Sequence, residues 1–179
     1  MSARKILAEA DRPEKQAGQL GEYIAAHISR GVLREEDHLL TNVSISYDGK
    51  PTELDNVAVN KYGVFIIEVK NYKGRLAGGE QDYTWKKYKD DGYGNTFEKE
   101  VKNPIRQVKR QVYILAKYLE PFHVWVEGYT FFARRNSPVH GRCVLESVED
   151  IDRAVHTFGK NRLSVRKVEG IVHMLSGEL

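Results

Sequence analysis

The chain has 179 residues, 41% hydrophobic and 30% charged, with 28 Lys and Arg against 25 Asp and Glu and a formal net charge of +3. That much apolar material supports a buried core and excludes intrinsic disorder and collagen-like repeats, while the mild basic excess permits a polyanionic partner without requiring one. A single cysteine, Cys143, excludes an intrachain disulfide framework and a multi-thiolate zinc site. The length suits one domain, expected over residues 1–179. Met1 to Lys5, followed by Glu9 and Asp11, lacks the apolar core of a signal peptide. The strongly apolar run Val64-Phe65-Ile66-Ile67 is far short of a membrane span. A cytoplasmic domain with no membrane partner is the expectation.

Ala17, Leu20, Ile24 and Ile28 recur at helical spacing and predict an amphipathic helix from about Glu14 to Ser29, with Gly31 as its stop. From Leu39 the period changes. Leu39 to Tyr47 and Thr52 to Val59 read as strands joined by the hairpin pair Asp48-Gly49. Val64 to Val69 follows as a third strand after the turn Asn60-Lys61-Tyr62-Gly63. Tyr83 to Lys89 and Thr96 to Val101 read as two more, parted by Asp91-Gly92 and Gly94-Asn95. Asn103 as N-cap and Pro104 at the first helical position open a second helix. Its apolar stripe is Ile105, Val108, Val112, Leu115 and Leu119, and Pro121 ends it. Val124 to Phe132 and Arg142 to Leu145 read as strands. Ser147 opens a short helix, and Ser164 opens another with Val165, Val168, Ile171, Val172 and Leu175 on one face. This order predicts a mixed α/β domain.

Chemistry concentrates at Asp55 and the trio Glu68-Val69-Lys70. On a strand Glu68 and Lys70 share a face. If Asn60 pairs with Gly63 across the turn, Asp55 comes directly opposite Glu68 with Cβ atoms roughly 5 Å apart. Facing carboxylates repel, and their flanks (Leu54, Val57, Ile66 and Ile67) are apolar. A divalent cation relieves that repulsion, since Mg²⁺ is held by one or two carboxylates plus water and substrate phosphate. Lys70 then neutralises charge or orients a water. A solvated ion pair between Glu68 and Lys70 satisfies the same short pattern.

Basic residues form two groups. Arg106, Lys109, Arg110 and Lys117 occupy the face of the second helix away from its stripe, and Lys86, Lys87 and Lys89 cluster with Tyr83, Trp85 and Tyr88. Such groups neutralise phosphates and stack on unpaired bases, or are merely solvated. No P-loop, dinucleotide fingerprint or G-x-S-x-G elbow occurs in the sequence.

Gly21-Glu22, Leu54-Asp55, the run Gly63 to Gly74 containing Glu68-Val69-Lys70, Trp85, and Asn103-Pro104 with Gln107 together resemble the nuclease-related domain family, NERD. The likeness is strongest over residues 21–119; residues 120–179 are expected to complete the domain with C-terminal strands and helices. That family is similar to the PD-(D/E)xK nucleases. The resemblance implies a restriction-endonuclease-like core: a mixed central sheet carrying an antiparallel hairpin meander, flanked by helices. Leu54 stands where the superfamily name has Pro. The resemblance further implies that Asp55, Glu68 and the Val69 carbonyl ligate Mg²⁺ or Mn²⁺, that Lys70 positions the attacking water, and that Glu22 and Gln107 are accessory. At roughly 100° per residue Glu22 lies nearly opposite the Leu20-Ile24-Ile28 stripe, and Gln107 flanks the buried stripe beside Gln111. The expected function is a metal-dependent nuclease, a DNA endonuclease ahead of an RNA one, with Trp85, Lys86, Lys87, Lys89, Arg106 and Arg110 on the nucleic acid and a homodimer left open. The competing class is a nucleic-acid-binding module of the same fold that does not cleave.

Overall fold

Backbone pairing sorts the strands into two sheets. The computed structural model of the chain describes residues 27, 30–134, 141–157 and 162–177. The first expected helix lies outside them except for His27. Helical backbone at 30–32 runs past Gly31, so that glycine is not the stop.

β1 (His38–Tyr47), β2 (Lys50–Asn60) and β3 (Gly63–Lys70) form an antiparallel meander. Asp48 and Gly49 have φ of 51° and 67°, the two positive angles that a two-residue type I′ hairpin demands. β4 (Arg75–Ala77), β5 (Thr84–Asp90) and β6 (Thr96–Lys102) make a separate antiparallel sheet. β4 is too short for a period-two pattern to reveal it. Helix α1 (Pro104–Tyr118) and a 3₁₀ turn at Glu120–Phe122 lead back to the first sheet. There β7 (Val126–Phe132) lies parallel to β3, and β8 (Val144–Leu145) lies parallel to β7. The spatial order is β1-β2-β3-β7-β8. Helices α2 (Val148–His156) and α3 (Val165–Ser176) follow. The result is the expected mixed α/β architecture, a mixed central sheet containing a meander and flanked by helices.

Strand β3 is apolar on both faces. Val64 and Ile66 join Val57 and Val59 of β2 against Val108, Ile114 and Leu115 of α1 and Ile171 of α3. Phe65, Ile67 and Val69 pack with Ile151, Ala154 and Val155 of α2. Each such side chain contributes roughly 1.5–3 kcal/mol on leaving water. Since either face suits the core, apolar pattern alone does not choose the register of this strand. The turn does: pairing runs from Asn60 with Gly63 down to Asn56 with Ile67, the register anticipated from the turn residues. One member of the expected α3 stripe departs from it. Val165 is 74% exposed, because it starts the helix immediately after the Ser164 cap.

Asn103 fixes the start of α1 and more besides. Its Oδ1 accepts from the N–H groups of Ile105 and Arg106 at 2.9 and 3.4 Å. Its Nδ2 donates to the carbonyls of Gly79, Glu80 and Asp82 at 3.2, 3.1 and 2.7 Å. One buried amide therefore caps the helix and pins the loop that enters β5. The second sheet is anchored beside it by Leu76 and Trp85, packed with Ile105 of α1 and Phe132 of β7. No helix among the described residues is long and apolar enough to cross a membrane.

α1 lies on β7 across Gly128. A Cβ there would stand 2.5 Å from Val112 Cγ2 and 2.8 Å from Val108 Cγ2, so only glycine permits this approach. Gly128→Ala is expected to lower stability by about 1–3 kcal/mol through overpacking. Urea or thermal denaturation measures it; an unchanged midpoint would show that α1 does not rest on this strand.

Candidate active site

The ladder between β2 and β3 ends at Asn56 and Ile67, one step before Asp55 and Glu68. At that step a side chain takes over from the backbone: Asp55 Oδ2 accepts the N–H of Val69 at 2.8 Å. The Asp55 carboxylate is thereby held against β3 between Glu68 and Lys70. Glu68 and Lys70 share a face, and Lys70 Nζ lies 2.5 Å from Glu68 Oε1.

Helix α1 closes this face from above. Gln107 and Gln111, four residues apart, fall on one side of the helix. Gln107 Nε2 donates to Glu68 Oε1 at 2.5 Å, and Gln111 Nε2 donates to Glu68 Oε2 at 2.7 Å. Gln111 Nε2 also reaches the Glu53 carbonyl at 3.1 Å. With acceptors on both of its contacts, the Gln111 amide has only one workable orientation. Glu68 is 2% exposed. Taking a carboxylate out of water costs several kcal/mol, offset here by one ammonium and two amide donors in charge-assisted hydrogen bonds.

Tyr72 follows just beyond the end of β3. Burial holds its phenol above the ordinary range; the nearby Lys70 charge opposes this and Glu68 adds to it. Lys87 Nζ of β5 lies 5.5 Å from the centre of the Tyr72 ring. The second sheet thus reaches the edge of the site.

The structure brings together Asp55, Glu68, Val69, Lys70 and Gln107. Glu22 lies outside the described residues. Gln111 is the residue that sequence reasoning noticed only as a flank of the stripe; its spacing of four from Gln107 was the available signal. Trp85 is a correction. Its indole is 1% exposed, stacked on Phe132 at 6.3 Å, and its Nε1 donates to the Gly79 carbonyl at 2.8 Å. It is an anchor of the second sheet and presents no face to a base. Lys86 pairs with Glu98 at 2.8 Å, while Lys89 and Arg110 are exposed. The Arg106 guanidinium sits over the exposed Tyr83 ring at 4.0 Å. Burial pushes the Cys143 thiol up, the opposite of what activates a nucleophile.

Among the described residues no cluster of three or more His, Cys, Asp or Glu could hold a metal. The donors near β3 are instead two carboxylates, a hard oxygen set that leaves the remaining positions to water and substrate, as Mg²⁺ prefers. Glu68 Oε2 carries one donor from Gln111 and has a second lone pair. Gln111 Oε1 is buried without a hydrogen-bond partner among the described residues, so a polar atom beside Glu68 is left to be satisfied. The residues present fit a hard divalent cation.

Residues 17–133 match the nuclease-related domain. The chain belongs to the NERD family. NERD is part of the nuclease-related PD-(D/E)xK-like superfamily, and the five-stranded mixed sheet with flanking helices is consistent with a restriction-endonuclease-like fold. The NERD match contains the whole of β1 through β7 and hence every described residue of the site. An uncharacterized protein of Bacillus anthracis is 29% identical over 72 residues, which cover 40% of this chain and 34% of that protein. The matched segment therefore spans about a third of the relative's length. No solved structure matches the chain.

Gln111→Leu removes two donors and leaves Glu68 Oε2 and the Glu53 carbonyl short of partners. A loss of about 2 kcal/mol is expected. Gln111→Glu is expected to cost more, because it sets a second carboxylate against Glu68. Equal stability of all three proteins in urea titrations would remove Gln111 from the site.

Proposed function

We propose that this NERD domain is a metal-dependent nuclease that hydrolyses phosphodiester bonds of nucleic acid, DNA ahead of RNA, by attack of an activated water. One observation carries the reading: a buried glutamate near the C-terminal end of the central strand β3, ringed by Lys70, Gln107 and Gln111, with Asp55 anchored to the adjoining amide. Asp55 and Glu68 would hold Mg²⁺ or Mn²⁺, with the Val69 carbonyl as a further oxygen and Glu22 as an accessory carboxylate. When bound, such a cation lowers the pKa of its water and offsets charge that develops on the phosphate.

Lys70 supplies the second positive charge. Its side chain is 16% exposed and bonded to Glu68, placing the ammonium to meet a phosphate oxygen or a water at the site. In that position it orients the attacking water and stabilises the transition state more than the bound substrate. Gln107 and Gln111 keep both oxygens of Glu68 aimed at the face shared with Lys70. The Val69 amide does the same for Asp55. These contacts prepare the site before substrate arrives, so little reorganisation remains for the chemical step.

The decisive experiment is plasmid nicking by purified protein with Mg²⁺ or Mn²⁺, abolished by a chelator. Binding without cleavage across both metals and both single- and double-stranded substrates would favour a non-cleaving module. Millimolar-range Mn²⁺ is expected to raise the melting temperature by preferential binding to the folded state, and Asp55→Ala is expected to abolish the rise. An equal rise in the variant would place the metal elsewhere. Lys70→Ala is expected to lower turnover by about 10²–10³-fold while nucleic-acid affinity, spread over many phosphate contacts, stays within several-fold. Parallel cleavage and binding assays at one salt concentration check this; a matched loss of both would make Lys70 a binding residue.

A further inference from the structure

The two faces of the second sheet differ in charge. Residues paired directly across an antiparallel ladder share a face, as do alternate residues along a strand. Leu76 pairs with Lys87, Lys87 with Lys99, and Trp85 with Val101. This set forms the inner face, because Leu76 and Trp85 are buried against Ile105 and Phe132. Further along the same face Lys89 pairs with Phe97. Above the buried root, the inner face carries three lysines (Lys87, Lys89 and Lys99) and no carboxylate among the described residues.

On the outer face the charges cancel. Arg75, Lys86 and Lys102 are matched there by Asp90, Glu98 and Glu100. Lys86 is bonded to Glu98 at 2.8 Å, and the Arg75 guanidinium covers the Tyr88 ring at 4.4 Å. An ordinary solvated hairpin has no reason to sort its charges this way. Lys87 directly opposite Lys99 is destabilising by itself, and a polyanion between the hairpin and the first sheet would turn that repulsion into attraction.

The inner face also connects to the site. Lys87 Nζ overlies Tyr72, which stands two residues past Lys70. Phe97, 60% exposed, lies level with the outermost lysine, Lys89, and Tyr93, 92% exposed, stands in the turn at the tip. Aromatic rings at the far end of a basic track suit bases that have left the stack.

We propose that the inner face of the β5–β6 hairpin is the substrate track: Lys87, Lys89 and Lys99 hold consecutive phosphates of a DNA strand leading past Tyr72 to Lys70 and Glu68. The proposal rests on the nuclease reading and adds to it the path of the substrate. It also removes Lys86, bonded to Glu98 on the other face, from the interface.

The test compares two double variants that remove equal charge, Lys87→Ala with Lys99→Ala and Lys86→Ala with Lys102→Ala. Fluorescence anisotropy with labelled duplex and single-stranded DNA across a salt series, in chelator to prevent cleavage, gives affinity and its salt slope. The inner pair is expected to weaken binding by about tenfold and flatten the slope by about 0.9 per lost contact on duplex. The outer pair is expected to stay within about twofold. Melting temperatures check that each double variant is folded. Equal effects of the two pairs, or none from the inner pair, would overturn the track while leaving the nuclease reading intact. Wild-type protein that binds neither DNA nor RNA would overturn both.

Discussion

The centre of the sheet is organised around one carboxylate that has been taken out of water. Glu68 sits in a strand whose residues from Val64 to Ile67 suit an apolar core on either side, and with Lys70 it makes the two faces inequivalent. A slip of one residue would turn it toward Ile151, Ala154 and Val155 on the apolar side of α2, away from Gln107 and Gln111. Burying a charge without those donors costs an appreciable part of the 5–15 kcal/mol that typically holds a domain together. The catalytic candidate is thus also a determinant of register. The same donors that make its burial tolerable fix its orientation, so folding and preparation of the site draw on one set of contacts.

Much of this was legible in the sequence, for identifiable reasons. Asp48-Gly49 and Asn60 to Gly63 have turn chemistry that sets strand pairing locally, and Asn103-Pro104 marks a helix start by cap and φ preference alone. These signals act over two to four residues, the range in which sequence speaks most directly. The opposition of Asp55 to Glu68 followed from one turn and a period of two. What the ladder does at that step did not: the replacement of a backbone partner by the Asp55 side chain depends on how the strands diverge.

Less local features escaped. Trp85 reads as an exposed aromatic among lysines, yet Leu76, Ile105 and Phe132 bury it, and those partners come from three different elements. Gln111 looks like a polar flank until α1 is laid across Gly128 and the amide meets Glu68. The charge sorting on β5 and β6 was invisible for a similar reason. Counting lysines along Thr84–Asp90 gives a basic strand; only the pairing with β6 shows that one of the three, Lys86, is cancelled on the outer face. Composition reports how much charge exists, and topology reports where it acts.

The double duty of Asn103 links the two sheets mechanically. Its oxygen belongs to the first turn of α1, and its nitrogen belongs to the loop at the root of β5. Force applied at the far end of the hairpin has a lever arm of the whole strand, about 20 Å for seven residues, and this amide lies near its fulcrum. Gln107 is one helical turn further along α1. Strain on the hairpin therefore reaches the hydrogen bonds around Glu68 through a stiff path of a few bonds, with no moving domain needed to transmit it.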